Sequence, residues 1–360
     1  MKANALNKIN LFRYEINKQD TRKWIQYHLS EPLNQPDFQA LSLLRPESWQ
    51  PPQLRFNPLR NEWTSYSTSR NSRPFLPNSC PLCLPEISGR QVTEVPEGLV
   101  CFDIAVFENM FPALSGDIGT TEVIVYTAHH DTNLLQLPLT HVQAIVQVWQ
   151  ERSAILGQNY NYIYIFENKG EVIGVTLHHP HGQIYAFHDA PPTLSKELES
   201  ARNYFEIHKK CLVCELRDQE QKEQIRVIAE NNSMIAFVPK SARYPYEVHV
   251  TSKQHRPLIE HLDADECLDL AKILKCVIYR LNKLFEFEMP YVMAQHQGPS
   301  DQPDNPSYHW HIEFYPPYRS ANKLKYLAGV EVGMGFFVND TLPEESAAQL
   351  RMAPLPREWL

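Results

Sequence analysis

Four short segments of the chain are rich in β-branched and aromatic residues, a composition that predicts β-strands. The segments span residues 123–127, 162–166, 235–238 and 312–315. Two longer stretches repeat apolar residues three and four positions apart, which predicts amphipathic helices. With Thr140 as the expected N-cap of the first helix, the apolar faces are Val142, Ile145, Val146 and Trp149, and Leu270, Leu274, Ile278 and Leu281. This mixture of strands and helices indicates an α+β fold.

The order of several chemically distinctive residues is repeated along the chain. The first half contains Cys80-x-x-Cys83, Glu108-Asn109, Glu122 with His130 eight residues later, and His179-Pro180-His181. The second half contains Cys211-x-x-Cys214, Glu230-Asn231, Glu247 with His255 eight residues later, and His309-Trp310-His311. A duplicated order predicts two tandem units.

We therefore expect two antiparallel half-sheets joined into one long sheet, with helices packed on it. The predicted N-terminal domain spans residues 54–195 and the C-terminal domain spans residues 196–360. Residues 1–53 form an N-terminal extension of unassigned role, with a short amphipathic piece at residues 24–29.

The composition narrows the class of protein. The 360 residues carry a net charge of -8 with a pI near 6.0, and a nucleic-acid partner would require a basic face. No apolar run approaches the roughly 20 residues that cross a bilayer, and the N-terminus lacks the apolar core of a secretion signal. We expect a cytoplasmic protein with neither a nucleic-acid nor a membrane partner. In a reducing compartment, paired cysteines indicate metal ligation.

Two thiols and two imidazoles in the first half form a candidate metal site. Cys80, Cys83, His130 and His179 are donors that zinc binds in tetrahedral geometry. A closed set of four ligands predicts a structural zinc. The alternative interpretation is a turn in which Cys80 and Cys83 are incidental thiols.

The run from His179 to Gln183 is the candidate for catalysis. Alternating side chains of a strand place His179, His181 and Gln183 on one face, and Gly182 is expected to let a phosphate approach the backbone. Neutral imidazole is a good nucleophile at phosphorus near pH 7. We therefore expect His181 to form a phosphoramidate intermediate while Gln183 holds a phosphoryl oxygen. The alternative is that His181 is a hydrogen-bonded structural residue.

Several collinear motifs resemble the galactose-1-phosphate uridylyltransferase family of the histidine-triad superfamily. They lie at residues 55–59, 107–114, 166–170, 179–183 and 314–320, and the resemblance runs from about residue 55 to residue 351. It implies a ping-pong reaction in which His181 takes UMP from UDP-glucose and passes it to galactose 1-phosphate. It also implies a homodimer, because the hexose-binding tail of the family reaches the neighbouring subunit.

The resemblance also implies which residues contact the substrates. For the nucleotide and its phosphates the matching positions are Arg70, Arg73, Asn109, Asn168, Gly174 and Thr176. For the hexose they are Lys325, Tyr326 and Glu331. Without the resemblance, Arg70 and Arg73 would be equally well explained as solvated surface residues.

The second metal site has two candidate ligand sets. The repeat nominates a copy of the first set, namely Cys211, Cys214, His255 and His309, and this set would bind a second zinc. The family pattern instead nominates Glu197, His296, His309 and His311, which would bind iron or zinc. Both sets claim His309, so only one is expected to be filled. We favour the copy, because its spacing echoes the first site.

The repeat makes His311 the counterpart of His181, but Ile312-Glu313 replaces Gly182-Gln183. An acidic residue there would repel a phosphate, so the second unit is expected to have lost the nucleophile. Two other functions stay open. One is a nucleotide-sugar or dinucleoside polyphosphate phosphorylase using the same histidine, although such relatives often have serine at the Gly182 position. The other is a catalytically silent nucleotide-binding protein stapled by zinc, which the intact His181 and Gln183 disfavour.

Overall fold

A computed structural model of the protein describes residues 8–18, 21–32, 49–72, 75, 77, 79–84, 94–96, 99 and 101–359. These residues form a mixed α/β structure with a large antiparallel sheet and six α-helices, which confirms the predicted fold class. The chain divides into an N-terminal unit, Ile9–Ile165 with Thr176–Pro192, and a C-terminal unit that contains Phe166–Val175 and Thr193–Leu360. The domain limits at residues 53 and 195 remain predictions. No helix in the described ranges is both long enough and apolar enough to cross a membrane.

The N-terminal unit is built on the first part of the sheet. Its elements are β1 (Phe12–Ile16), β2 (Trp24–His28), β3 (Gln53–Asn57), β4 (Glu62–Tyr66), β5 (Ile104–Glu108), β6 (Thr120–Val125), α1 (Leu139–Leu156), β7 (Tyr162–Lys169) and β8 (His181–Phe187). The strand order is β1-β2-β5-β6-β8-β7, and β3 and β4 form a separate hairpin. The first four residues of β7 belong to this unit.

The C-terminal unit repeats much of this arrangement. Its elements are α2 (Pro192–His208), α3 (Leu212–Glu223), β9 (Val227–Glu230), β10 (Met234–Phe237), β11 (Val248–Ser252), α4 (Ala264–Leu284), β12 (Tyr291–His296), β13 (His311–Tyr315), β14 (Tyr318–Ser320), β15 (Lys323–Leu324), α5 (Gly329–Met334) and α6 (Pro343–Arg351). The strand order, beginning with the second half of β7, is β7-β12-β13-β11-β10-β9. The series β5-β6-α1-β7-β8 thus has a counterpart in β10-β11-α4-β12-β13.

The two predicted helices pack as their patterns indicate. All eight residues of the predicted apolar faces on α1 and α4 are completely buried. The predicted N-cap was wrong for α1, because the helix begins at Leu139 after Pro138 and Thr140 lies inside its first turn. Proline fixes a backbone angle that suits a helix start. In α4, Asp263 and Glu266 form a reciprocal capping box.

The N-terminal residues contribute strands to the sheet. In the piece at residues 24–29, expected to be amphipathic, residues 24–28 form strand β2, and all five are buried. Its register with β5 pairs Trp24 with Phe107 and Tyr27 with Ile104. A strand covered on both faces has no polar side to show to solvent, so its sequence does not alternate.

One repeat marker changes position between the units. Glu108 ends β5, whereas Glu230 ends β9, which has no place in the repeated series. The side chain of Asn231 accepts hydrogen bonds from the backbone amides of Ser233 (3.3 Å) and Met234 (2.9 Å) and so holds the turn from β9 to β10. The match of the two Glu-Asn pairs is therefore one of sequence and not of topology.

A second marker differs because of strand register. In the N-terminal unit Val123 lies opposite Gln183, whereas in the C-terminal unit His249 lies opposite Glu313. Val123 therefore corresponds to His249, and Glu122 corresponds to Val248. Neighbouring residues of a strand point to opposite faces, so a one-residue difference in register exchanges the faces.

Candidate active site and metal centres

The four donors predicted to bind the first metal lie together. The donor atoms of Cys80, Cys83, His130 and His179 are all within 4.8 Å of one another. The Sγ atom of Cys83 is 3.4 Å from Nδ1 of His130 and 3.5 Å from Nδ1 of His179. In a tetrahedral site with Zn–S of ~2.3 Å and Zn–N of ~2.1 Å, the S···N separation is about 3.6 Å. The donor set therefore fits zinc in both composition and spacing.

The ring of His179 is held in the orientation of a metal ligand. Its Nε2 donates to the backbone carbonyl of Thr127 at 2.7 Å, which leaves Nδ1 to face Cys83. Burial lowers the pKa of His179 to about 4, so the ring is neutral near pH 7. Metal-bound histidines commonly donate their second ring nitrogen to a carbonyl in this way.

His181 opens strand β8 two residues after His179. Its Nδ1 lies 2.7 Å from the carbonyl oxygen of His179, so Nδ1 carries the proton and donates it. The lone pair of the neutral ring is therefore on Nε2. A metal bound to His179 would also fix the position of this carbonyl. The cluster of two cysteines and two histidines would therefore orient the His181 ring through the backbone of residues 179–181.

A small cleft opens beside His181. Four of the predicted site residues line it, namely Asn109, Thr176, His181 and Gln183. Phe107, Phe111, Val123 and Leu177 supply much of its apolar wall. A cleft that combines an apolar wall with a few polar groups is typical of a small-molecule site.

Gly182 does not have the position that the sequence suggested. It lies opposite Ile124 and is buried on the sheet face away from His181. A side chain there would point away from the cleft, so the lack of one does not open the cleft to a phosphate.

One lining residue was missed in the sequence. Glu94 lines the cleft, and its carboxylate pairs with Arg22 at 2.6 Å. Arg22 is fully buried and also donates to the carbonyl of Glu108 at 2.9 Å. Since Glu94 and Arg22 are far apart in the chain and lie in no motif, no local pattern could have identified this pair.

The predicted nucleotide contacts in the N-terminal unit are only partly described. Arg70 donates to the carbonyl oxygen of Phe111 at 3.1 Å, which places it beside a residue of the cleft wall. The side chain of Asn109 accepts from the amide of Phe111 at 2.8 Å and holds the turn after β5. Arg73 lies outside the described residues.

The other predicted contacts lie in the C-terminal unit. Asn168 is on β7, and Gly174 has a left-handed φ of 83° after a short helical turn, a backbone angle that favours glycine. Lys325 pairs with Glu331 at 3.2 Å, and Glu331 also accepts from the amide of Ala328 at 3.1 Å.

Tyr326, the third residue predicted to contact the hexose, is 75% exposed. It follows Lys325 in the chain, but nothing in the described contacts joins its side chain to Lys325 or Glu331.

The two rival ligand sets in the C-terminal unit occupy different places. The donors of Cys211, Cys214 and His255 form one group, with Cys214 Sγ 3.3 Å from His255 Nδ1 and 3.6 Å from His309 Nδ1. Glu197, His296 and His311 form another, in which Glu197 lies 2.9 Å from His296. Nδ1 of His309 also accepts from the backbone amide of Arg256 at 3.0 Å, and Nε2 lies 3.1 Å from the carbonyl of Ser252, so His309 belongs to neither group of three donors. The two groups of three donors share no residue, and the choice between the two four-ligand sets stays a prediction.

A third cluster in this unit was not predicted. Glu313 lies 3.2 Å from His249 and 3.6 Å from His311, and it accepts from Arg243 at 2.9 Å. Burial opposes the ionisation of Glu313, but the charges of the surrounding histidines hold its pKa well below the usual range. His249 also reaches Glu247 at 2.9 Å. The signal for this cluster was the replacement of Gln183 by Glu313 in the repeat.

Comparisons with known proteins agree with these features. Models described as the N-terminal and C-terminal domains of galactose-1-phosphate uridyl transferase match residues 108–191 and 197–358. The chain is 37% identical to galactose-1-phosphate uridylyltransferase of Thermotoga maritima over 83% of this chain and 98% of that protein.

Solved structures give the same result. One described as "Structure of uridylyltransferase" has a TM-score of 0.74 and 33% identity, covering 83% of this chain and 97% of that one. An ADP-glucose phosphorylase from Arabidopsis thaliana with bound ADP-glucose has a TM-score of 0.66 and 28% identity, covering 84% and 100%. The chain therefore belongs to the galactose-1-phosphate uridylyltransferase family, and it is a nucleotidyltransferase like the relatives named for that activity.

Proposed function

We propose that this enzyme transfers UMP from UDP-glucose to galactose 1-phosphate by a ping-pong mechanism, through a uridylyl group carried on Nε2 of His181. The observation that carries the proposal is the 2.7 Å hydrogen bond from Nδ1 of His181 to the carbonyl of His179. This bond leaves the lone pair on Nε2, beside the cleft. The family membership supports UDP-glucose and galactose 1-phosphate as the substrates.

The reaction has two steps at phosphorus. Nε2 of His181 attacks the α-phosphorus of UDP-glucose, the bond from that phosphorus to the bridging oxygen breaks, and glucose 1-phosphate leaves. An oxygen of galactose 1-phosphate then attacks the same phosphorus, the P–N bond breaks, and UDP-galactose leaves. As the imidazole becomes cationic in the intermediate, the carbonyl of His179 stabilises the proton on Nδ1.

The cleft supplies groups that suit a nucleoside phosphate. Gln183 lies two residues after His181 on the same face of β8, where its amide would donate to a nonbridging phosphoryl oxygen. Thr176 and Asn109 add polar groups, and Phe107 and Phe111 offer an apolar wall for the uracil ring. We propose that Arg70, Arg73, Asn168 and Gly174 contact the nucleotide and its phosphates, as the family resemblance implies.

Zinc fits the cluster of Cys80, Cys83, His130 and His179, and we propose that these residues hold a structural zinc. Such an ion cross-links chain segments far apart in sequence and has no direct part in the reaction. Cys211, Cys214 and His255 form a group of three donors whose thiol–imidazole spacing is like that of the first cluster, and His309 lies 3.6 Å from Cys214. We propose that these four residues hold a second zinc. The separate group of Glu197, His296 and His311 has the oxygen and nitrogen donors that suit iron or zinc.

We further propose a homodimer in which Lys325, Tyr326 and Glu331 bind the hexose. The pairing of Lys325 with Glu331 holds the segment between β15 and α5, and Tyr326 is exposed beside it. An exposed aromatic ring next to a fixed ion pair supports contact with a sugar or a neighbouring subunit.

A second candidate function is phosphorolysis of a nucleotide sugar by the same histidine. The 28% identity to ADP-glucose phosphorylase of Arabidopsis thaliana, over 85% of this chain and 94% of that protein, favours keeping it. The two functions share the first step and differ in the acceptor, which is a sugar phosphate in one and inorganic phosphate in the other.

One experiment tests the intermediate and separates the two functions. The protein is incubated with UDP-glucose alone, its intact mass is measured for an added UMP, and galactose 1-phosphate or inorganic phosphate is then supplied. We expect the adduct to form in the native protein and in His208→Ala, an exposed histidine on α2 that serves as the control, but not in His181→Ala. Faster discharge by galactose 1-phosphate is expected.

Two outcomes would contradict the proposal. Persistence of the adduct in His181→Ala would remove this histidine as the nucleophile. Faster discharge by inorganic phosphate would replace the uridylyltransferase by the phosphorylase.

A further inference from the structure

A cavity outside the cleft lies in the C-terminal unit. It has a volume of about 570 Å³, within the range of roughly 300–1,000 Å³ that small-molecule sites occupy. Its wall contains the last turn of α4 and the chain after α6. Leu284, Phe285, Met352 and Pro354 form an apolar part, and Arg280 and Lys283 supply cations. None of the described residues that line it is acidic.

Arg280 is unlike the other buried arginines of the described residues. Four of them, Arg22, Arg152, Arg217 and Arg226, pair with carboxylates at 2.6 to 3.0 Å. Arg280 is only 8% exposed, and neither its Nε nor its Nη1 has a hydrogen-bond partner in the part of the chain that the structure describes. Two buried donors without partners are costly, so this position requires an explanation.

The electrostatic surroundings make the missing partner an anion. Burial lowers the pKa of Arg280, and the charge of Arg351 lowers it further, yet a guanidinium remains protonated at any physiological pH. Lys283 is exposed at the rim of the cavity and lies 5.8 Å from the centre of the Tyr279 ring. The cations near the cavity therefore have no counter-charge among the residues that line it.

We propose that this cavity, the Arg280 cavity, binds a small organic oxyanion whose phosphate or carboxylate group meets Arg280 and whose apolar body lies against Phe285 and Met352. A guanidinium remains charged and donates charge-assisted hydrogen bonds to the oxygens of such a group. Lys283 adds a second cation at the rim. The site is separate from the reaction at His181, and the proposal does not depend on that reaction.

The test uses phenyl phosphate, benzoate and inorganic phosphate as probes, with benzyl alcohol as the neutral control. Binding to the full-length protein is measured by titration calorimetry. We expect both aromatic anions to bind more tightly than inorganic phosphate and the neutral control not to bind. The stronger of phenyl phosphate and benzoate identifies the preferred head group.

Three variants locate the binding. Arg280→Met is expected to weaken the binding of the best probe by about tenfold or more, and Lys283→Met by about threefold. Arg202→Met, an exposed arginine on α2, should leave it unchanged. Without a probe, the melting temperature of Arg280→Met should rise, because two buried donors without partners have been removed, and the shift caused by the probe should disappear.

Several results would overturn the proposal. One is the absence of binding of every anionic probe to the native protein at millimolar concentration, and another is equal binding by native protein and Arg280→Met. The exposed position of Lys283 means that Lys283→Met is expected to fold normally. If Arg280→Met does not fold, unchanged binding by Lys283→Met counts against the site.

Discussion

Strands β8 and β13 begin with equivalent histidines, His181 and His311. The two strands differ in the next residue on the same face, and this difference decides whether the histidine can react. His181 and His311 each direct Nδ1 to the carbonyl of the residue two positions earlier, at 2.7 and 3.1 Å. In β8 the neighbour on the same face is Gln183, which lines an open cleft. In β13 it is Glu313, whose carboxylate lies 3.6 Å from Nε2 of His311.

The difference teaches how one backbone can hold either a reactive or an inert imidazole. Burial lowers the pKa of His311, but its hydrogen bond with Glu313 and the nearby charges outweigh this and raise the pKa overall. A ring that shares a carboxylate with His249 and His296 belongs to an ion-pair network. A proton on Nδ1 is therefore not sufficient to make the histidine a nucleophile. The space next to Nε2 must also be open, so that a phosphorus atom can approach it.

The largest expected effect comes from making the first strand resemble the second. Gln183→Glu should lower kcat/KM for uridylyl transfer by about 10³-fold, because it removes a donor to the phosphoryl oxygen and adds a charge that repels it. Steady-state kinetics with UDP-glucose and galactose 1-phosphate measure the change.

The converse variant, Glu313→Gln, is the control and should leave kcat/KM within about threefold, since it lies outside the cleft. An equal loss of kcat/KM in both variants would show that the substitutions act through folding. The difference between the two strands would then not explain why His181 reacts.

A second prediction concerns the opposite face of the sheet, where Glu122 stands in the N-terminal unit and Val248 in the other. Glu122 accepts from Arg152 at 2.7 and 2.9 Å, and both side chains are buried. Glu122→Gln should lower the free energy of unfolding by about 3 kcal/mol, because it leaves the guanidinium without a counter-charge. Urea denaturation measures the loss.

The double variant Glu122→Val with Arg152→Leu imitates the apolar face of the other unit. It should recover most of the lost stability, since replacing both members of a buried pair is far less harmful than removing one. As a control, Asp340→Asn breaks an exposed pair with Arg319 and should change the free energy of unfolding by less than about 0.5 kcal/mol. A double variant less stable than the single one would show that the pair is required for this packing.

The same contrast shows what the sequence could and could not predict. Helix faces and the cysteine and histidine spacings depend on residues close together in the chain, so α1, α4 and the first thiol cluster were predicted. Register depends on pairing between distant strands, so the equivalence of Glu122 with Val248 could not be read from a repeat that matches Glu122 to Glu247. The Arg22–Glu94 pair and the cluster around Glu313 were hidden for the same reason.

The smallest effect is expected from the two sets of residues that we propose to bind zinc, which have the same composition in both units but different neighbours. Cys83 faces His179, whose carbonyl orients the His181 ring, whereas Cys214 faces His309, whose carbonyl orients a ring that we place outside the reaction. Cys83→Ser should lower kcat about tenfold and reduce bound zinc by one ion per chain, as loss of a supporting contact commonly does. Cys214→Ser should also lose one zinc and lower the melting temperature but leave kcat within about twofold.

Metal content by mass spectrometry and steady-state kinetics separate the two variants, with Cys101→Ser, an exposed thiol outside both sets, as the control. Only the first cluster is joined to the His181 ring by a short stretch of backbone. An equal fall of kcat in both thiol variants would therefore mean that the metals support the fold and do not orient His181.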